Sequence, residues 1–176
     1  MVYYLLSISA ELENLTDLQP CGGCDDPNFS YYFKVKCESC GEISQKETCV
    51  MISEVVPLPT GRATAHLVQK CKLCGREGSI QMITGEGQPL TLGQSEREEF
   101  SRLMIFDGRG LAPTDFSFSD GWEAQSLAGT TFDVDLSAGE FAEYDEKGEC
   151  PVGITNVRAN FSVVKKRERG GKDVYI

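Results

Sequence analysis

Histidine is nearly absent from this chain of 176 residues: His66 is the only one. A Cys–His or Ser–His catalytic pair would have to be built there, and residue 66 sits in a Thr/Ala/Leu/Val strand pattern that reads as ordinary sheet. Basic charge is also short. Seventeen Lys plus Arg stand against 27 Asp plus Glu, a net charge of −10, and so acidic a surface repels phosphate backbones and anionic lipid. Nucleic-acid and membrane binding are both disfavoured on that ground. Long apolar runs are missing, since nothing approaches the roughly 20 residues of a membrane helix. The glycines of "GEGQP" and "GGKD" lack the Gly-Lys-Ser/Thr of a phosphate cradle. Asp133 and Asp135 alternate with apolar residues, as a solvated strand face does, and do not suggest a catalytic carboxylate pair. The composition therefore points away from an enzyme.

The opening "MVYYLLSISAE" has no basic residue ahead of its apolar run, and its polar and apolar positions alternate, so it reads as a strand and not as a secretory signal. Without such a signal the sequons at Asn14, Asn28 and Asn160 carry no weight. A cytoplasmic location follows. The basic run "KKRERGGK" adds the nucleus as a second one, although its glycines make it read first as a solvated, mobile tail.

What the chain has in quantity is two-residue alternation. Val2, Tyr4, Leu6, Ile8, Ala10 and Leu12 share one face, and Val157, Ala159, Phe161 and Val163 share another. Shorter alternating runs at 31–36, 48–56, 63–70, 79–84, 101–106 and 131–136 are separated by Gly- and Pro-containing turns. The fold expected is mainly β, sandwich- or barrel-like, with little helix, and the paired cysteine motifs "CESCG" and "CKLCG" between these strands add a zinc-ribbon element. Ser95 as N-cap with Glu98 closing a capping box gives the only good helix start, for a helix of a turn or two. A weak repeat aligns "AELENLTDLQP" with "LMIFDGRGLAP" at an offset of 93, which pairs Phe29 with Trp122 and sets Cys37 and Cys40 against Thr130 and Asp133. Two pseudo-repeated β halves are then an open reading, the second without metal ligands. The division expected is 1–94 for a zinc-binding half, 95–164 for a second half packed on it, and 165–176 for the tail.

Against these absences stand eight cysteines, six of them in three Cys-x-x-Cys pairs. A tetrahedral sulfur site needs two pairs. "CESCG" and "CKLCG" each place a glycine directly after the second cysteine, where a zinc knuckle turns tightly and often requires positive φ. Lys34, Lys36, Lys70, Lys72 and Arg76 flank them, opposing the −2 charge of four thiolates around Zn²⁺. "CGGCD" has neither the glycine nor the cations. We assign one Zn²⁺ to Cys37, Cys40, Cys71 and Cys74. Cys21 and Cys24 are the spare pair, read as a flexible loop with accessible thiols whose acidic neighbours Asp25 and Asp26 oppose ionisation. Cys49 and Cys150 read as buried packing, and Trp122 as a core aromatic.

The segments "VKCESCGEIS", "GRATAHLVQKCKLCGRE", "EYDEKGE" and "VGI" (Val152 to Ile154), in that order, resemble the eukaryotic CXXC-motif-containing zinc-binding protein family over about residues 3–164. The resemblance implies a mainly β, monomeric cytosolic protein, one structural zinc on the same four cysteines, a duplicated fold and no established enzymatic activity. "CGGCDDPN" departs from the family pattern as an insertion, and "KRERGGKDVYI" as an extension.

Two functions remain in view. The first is a non-enzymatic interaction module for a protein partner, with the zinc structural and the partner expected on the acidic β face. The alternative is a metal-handling or thiol-redox protein that acts with a metallochaperone through exposed cysteines.

Overall fold

The computed structural model describes residues 1–59 and 61–176. In chain order the strands are β1 (Val2–Glu13), β2 (Leu15–Pro20), β3 (Tyr31–Cys37), β4 (Thr48–Val50), β5 (Val56–Pro57), β6 (Thr64–Ala65), β7 (Leu67–Lys70) and β8 (Glu77–Ile83). After the helix α1 (Leu92–Glu96) come β9 (Ser101–Arg109), β10 (Leu111–Ser117), β11 (Trp122–Ser126), β12 (Thr131–Val134), β13 (Phe141–Asp145) and β14 (Cys150–Val164). The hairpin β15 (Lys166–Arg169) and β16 (Lys172–Tyr175) ends the chain. No helix among the described residues is long and apolar enough to cross a membrane.

A six-stranded sheet in the order β13-β14-β1-β9-β8-β7 forms the centre, flanked by the three-stranded sheets β10-β3-β4 and β12-β11-β2. The alternation of β1 explains its place at the centre: Leu6, Ile8 and Ala10 are buried, while Glu11 and Glu13 are exposed. From Trp122 a line of edge-on aromatic contacts runs through Phe29, Tyr31, Phe106 and Phe33 to Phe161, with centroid separations of 4.8 to 6.1 Å. That line crosses both halves of the chain, so the expected boundary at residue 94 does not separate two cores. One cluster contains Leu6, Phe33, Trp122 and Ile154 together.

The order of the central sheet reads the same from both ends, and the registers show why. Ile80 pairs with Gly108 and Leu67 with Ile80; in the other half Ile154 pairs with Leu12 and Phe141 with Ile154. Cys37 pairs with Leu111, as Ser126 pairs with Leu15. Glu38 donates its N–H to Gly110 O at 3.0 Å, as Leu127 donates to Asn14 O at 3.2 Å. The halves are related by a pseudo-two-fold between β1 and β9, and they exchange strands: β2 joins β11 and β12, while β10 joins β3 and β4. Asn14 (φ 53°) and Gly110 (φ 77°) are the matching pivots where β1 and β9 leave the central sheet. The offset of 93 is corrected by these registers. Matching residues lie 96, 89 or 74 apart according to the strand, because loops of different length intervene.

Two further expectations are corrected. The helix caps at Thr91, whose hydroxyl accepts from Gln94 N–H while the Gln94 side chain accepts from Thr91 N–H. Ser95 is instead buried inside α1, donating to Ala10 O at 2.7 Å and accepting from Leu12 N–H at 2.9 Å, where the β1–β14 register shifts. The segment 165–176 is a hairpin and not a free tail. Tyr175 is buried against Tyr3, Ile105 and Val164, and Arg102 donates to its carbonyl at 2.6 Å. Val163 turns outward at the same place, so that Val164 can join this small cluster.

Candidate metal centre

Each knuckle is the tip of a hairpin. Cys37 closes β3, and the chain returns beside it through the bridge of Lys36 with Ile43. Cys71 follows β7 and donates its N–H to Arg76 O at 2.8 Å across the turn into β8. The glycines after the second cysteines behave as the motif requires: Gly41 (φ 80°) donates to Cys37 O at 2.9 Å, and Gly75 (φ 77°) to Cys71 O at 3.0 Å. Both tips rest on the β9–β10 pivot. Beside the Glu38 bond to Gly110, a Cβ at Gly78 would lie 2.7 Å from Arg109 O, so only glycine lets β8 approach there. The Tyr4 hydroxyl donates to the Glu38 carboxylate, fastening the first knuckle to β1, and burial with that carboxylate holds the phenol above its ordinary range.

The four sulfurs converge to within 4.8 Å of one another, with Cys37 to Cys74 at 3.7 Å and Cys40 to Cys71 at 3.6 Å. A ZnS₄ tetrahedron with bonds near 2.3 Å has sulfur–sulfur edges of about 3.8 Å. The four residues are positioned to bind one zinc ion. Cys37 and Cys71 are buried, whereas Cys40 and Cys74 are exposed on the outer side. Backbone N–H groups of Cys40 and Ser39 draw the Cys37 thiol down to about 6, and those of Cys74 and Leu73 lower Cys71. For Cys40 the Glu42 N–H favours the thiolate, but burial and the neighbouring sulfurs oppose it and push the group up to about 12. Four adjacent thiolates conflict, and a dication removes the conflict.

The other cysteines lie elsewhere. Cys24 is buried, not accessible: its backbone carbonyl accepts from Tyr31 Oη at 2.8 Å, and its side chain packs on Gly87, where an added Cβ would come within 2.5 Å of Cys24 Cβ. Burial, reinforced by Asp25, pushes its thiol up to about 11. Cys21 is half-buried and donates from sulfur to Trp122 O at 3.1 Å; burial, then Glu123, Asp133, Asp120 and Asp26, raise its pKa. Of the spare pair, Cys24 is therefore folded into the core and Cys21 is half-buried, against the expectation of two accessible thiols. Cys49 is exposed, not buried, because β4 alternates and sets it opposite the outward Tyr32; Cys150 is half-buried. His66 accepts a hydrogen bond at Nδ1 from Met82 N–H at 2.9 Å, and burial lowers its pKa. Trp122 is fully buried, as expected.

Sequence reasoning missed the counterpart of this centre in the second half. The residues matching Cys37 and Cys71 are Ser126 and Asp145. Asp145 is buried and accepts from Thr130 Oγ1 at 2.7 Å and from Lys147 N–H at 3.2 Å. The neighbouring Ser126 hydroxyl, then Thr130 and the Gly148 and Lys147 N–H groups, hold its carboxyl below the usual range in spite of burial. A carboxylate joins the two turns here as four sulfurs join them in the first half. The signal was present in "EYDEKGE", whose aspartate precedes a hairpin turn, but its partner turn at 126–130 was assigned by the wrong offset.

Two hairpin tips joined by four cysteines on a strand-exchanged β scaffold define a zinc-binding protein of the two-knuckle kind. The chain belongs to the eukaryotic family described as CXXC motif containing zinc binding protein, whose signature matches residues 5–162. It is 39% identical over 158 residues to the human protein of that description, covering 89% of this chain and 95% of that one. The Xenopus laevis protein is 38% identical over 164 residues, covering 92% and 99%. Among solved structures, the crystal structure of C1orf123 superposes with a TM-score of 0.82 at 37% identity, over 92% of this chain and 99% of that one.

Proposed function

We propose that the zinc is a mechanical pin and that the protein is a non-enzymatic interaction module. The observation that carries this reading is the match between the two halves. Asp145, Ser126 and Thr130 close the second junction with no metal ligands beyond a single carboxylate, so closing the junction is a sufficient task for the zinc in the first. Four sulfurs also fill a tetrahedron and leave no vacant position for water activation or Lewis-acid chemistry. Thiolate ligation suits the reducing cytoplasm, and we place a monomer there.

The alternative is metal handling, and one observation favours it: Cys40 and Cys74 are exposed and open to an exchanging thiol. The spare pair lends it little, since Cys24 is buried with a raised pKa. To separate the two, immobilised zinc-loaded protein is exposed to cytosolic extract, and bait and captured proteins are analysed for zinc. The module reading expects the bait to keep one zinc per chain through capture. Zinc appearing in a captured protein at the bait's expense overturns it.

A further inference from the structure

The two knuckles turn alike but are attached to the body unequally. In each, the first cysteine donates its N–H to the residue five places on, Glu42 or Arg76, and accepts from the glycine at Gly41 or Gly75. Each also sets its second cysteine outward, so exposure does not tell Cys40 from Cys74. Glu38 does. Its N–H bonds to Gly110 O at 3.0 Å and its carboxylate accepts from the Tyr4 hydroxyl, which ties the turn between Cys37 and Cys40 to the β9–β10 pivot and to β1. The Tyr4 ring is itself seated on β9 at a glycine, since a Cβ on Gly108 would lie 3.0 Å from Tyr4 Cε2. Beyond Cys40 the returning chain is bonded as well: Lys36 bridges to Ile43, and Ser44 exchanges hydrogen bonds of 2.9 and 3.1 Å with Val35.

In the second knuckle Lys72 stands where Glu38 stands in the first, and it makes no such tie. Apart from the cysteine sulfurs, no side chain from Lys72 to Glu77 makes a hydrogen bond or an ion pair among the described residues, and all six residues are exposed. β7 is the last strand of its sheet and pairs with β8 over four residues, so the tip hangs outward from the close approach at Gly78. The charges differ in the same sense. "CESCGE" carries Glu38 and Glu42 at the positions where "CKLCGR" carries Lys72 and Arg76. Four thiolates around Zn²⁺ make a centre of charge −2, whose repulsion of an anion the two carboxylates reinforce and the two cations offset. Charges one or two residues from a ligand act over less than the roughly 8 Å Debye length at physiological salt, so salt screens this difference only in part. A negatively charged ligand therefore meets less opposition at the second knuckle.

We propose that Cys74 is the ligand through which the centre opens: it lets go first, to an incoming anionic ligand, while Tyr4 keeps Cys40 in place through Glu38. A filled tetrahedron admits a new ligand only as one sulfur swings away, and Cys74 is the outward sulfur on the tip that nothing else fastens. With a thiol as the incoming group, Cys74 takes up the proton that the thiol releases, and the new sulfur takes the bond that Cys74 gives up. No electrons are transferred. Tyr4 is a positioning residue here, acting on Cys40 through the turn and touching no ligand itself. This order of release goes beyond the pin reading and holds whether or not the zinc is ever passed to another protein.

The test is a race between metal loss and alkylation. The zinc-loaded full chain is mixed with a limiting amount of EDTA in the presence of a maleimide, the reaction is stopped early, and the labelled cysteines are located by peptide mapping. Cys74 should carry about fivefold more label than Cys40. Tyr4→Phe should keep one zinc per chain and raise the label on Cys40 about threefold, with the label on Cys74 unchanged. A rise at all four ligands together would show that Tyr4 serves only the fold, and would overturn its part. In Lys72→Glu with Arg76→Glu, zinc should pass to the anionic EDTA about threefold more slowly and to the uncharged tetrapyridyl chelator TPEN at the wild-type rate. Equal label on Cys40 and Cys74 in the wild type, earlier label on Cys40, or the same change with both chelators would each overturn the proposal. None of these outcomes bears on whether zinc reaches a captured protein, so the module reading stands or falls separately.

Discussion

Asp145 holds in the second half of the molecule the position that Cys71 holds in the first. Each opens the turn of an outer hairpin and faces the residue five places on, Cys150 or Arg76. The two residues should fail differently. Cys71→Ser should lose the zinc, and Asp145→Asn should keep it while lowering the melting temperature by several degrees. Elemental analysis beside calorimetry on both variants checks this, and loss of zinc from Asp145→Asn would refute the independence of the two junctions.

Acid should distinguish the aspartate as well. Its folded pKa is depressed, so the stability it contributes is fully present above the ordinary aspartate value near 3.9 and is lost as pH falls through the lower folded value. The gap in melting temperature between wild type and Asp145→Asn should therefore hold steady from neutrality down to about pH 5 and shrink below about pH 4. Thermal unfolding of both proteins across that range, measured after zinc removal so that thiolate protonation is common to both, reads the difference.

Removing the metal should loosen the first half far more than the second. Structural zinc contributes on the order of 10 kcal/mol in small zinc-finger peptides at neutral pH. After treatment with a strong chelator, hydrogen exchange should accelerate in residues 31–50 and 64–83, and should change little at 122–134 and 141–150. Uniform acceleration would show that the halves do not respond separately.

Alkylation of the zinc-loaded protein should modify Cys49 first, Cys21 next and Cys24 last, since Cys49 is exposed and Cys24 is buried with its thiol at about 11. Peptide mapping over a time course gives the order. Gly87→Ala should disturb that order by driving a methyl into Cys24 and into Leu103 O, 2.3 Å from the added carbon, at a cost of roughly 1–3 kcal/mol.

Tyr175→Ala should destabilise the whole protein by about 3 kcal/mol, the low end for truncating a buried aromatic, because its ring covers Tyr3 and Ile105 in the central sheet. Denaturant unfolding checks it. An unchanged midpoint would restore the reading of residues 165–176 as a solvated tail.

How far the sequence discloses this molecule varies with the range of the interaction. Gly41 and Gly75 announce the knuckles because positive φ is a local demand, and the alternation of β1 announces a buried face for the same reason. The burial of Cys24 is not local. It depends on Gly87, 63 residues away, having no side chain. Tyr175 likewise gives no sign, in a stretch of lysines and arginines, that it will pack on Tyr3. The capping signal was ambiguous in a different way: Thr91 with Gln94 and Ser95 with Glu98 both fit the pattern, and Ser95 is claimed by β1 through two hydrogen bonds. The repeat was visible only in part, since loops of unequal length break any constant offset.

The strand exchange has a consequence for biosynthesis. The knuckle ligands and their turns are all translated by residue 76, whereas β1 finds one of its two neighbours only when β14 emerges, at residues 150–164. At 5–20 residues per second the nascent chain spends roughly 5–20 s with four cysteines in hand and its central sheet unpaired on one side. Contacts so distant in sequence also form slowly once the chain is complete. Both knuckle tips meet only on the β9–β10 pivot, so on the ribosome the four cysteines wait for residues 109–111 before they can share one ion, and the central sheet waits longer still, for β14.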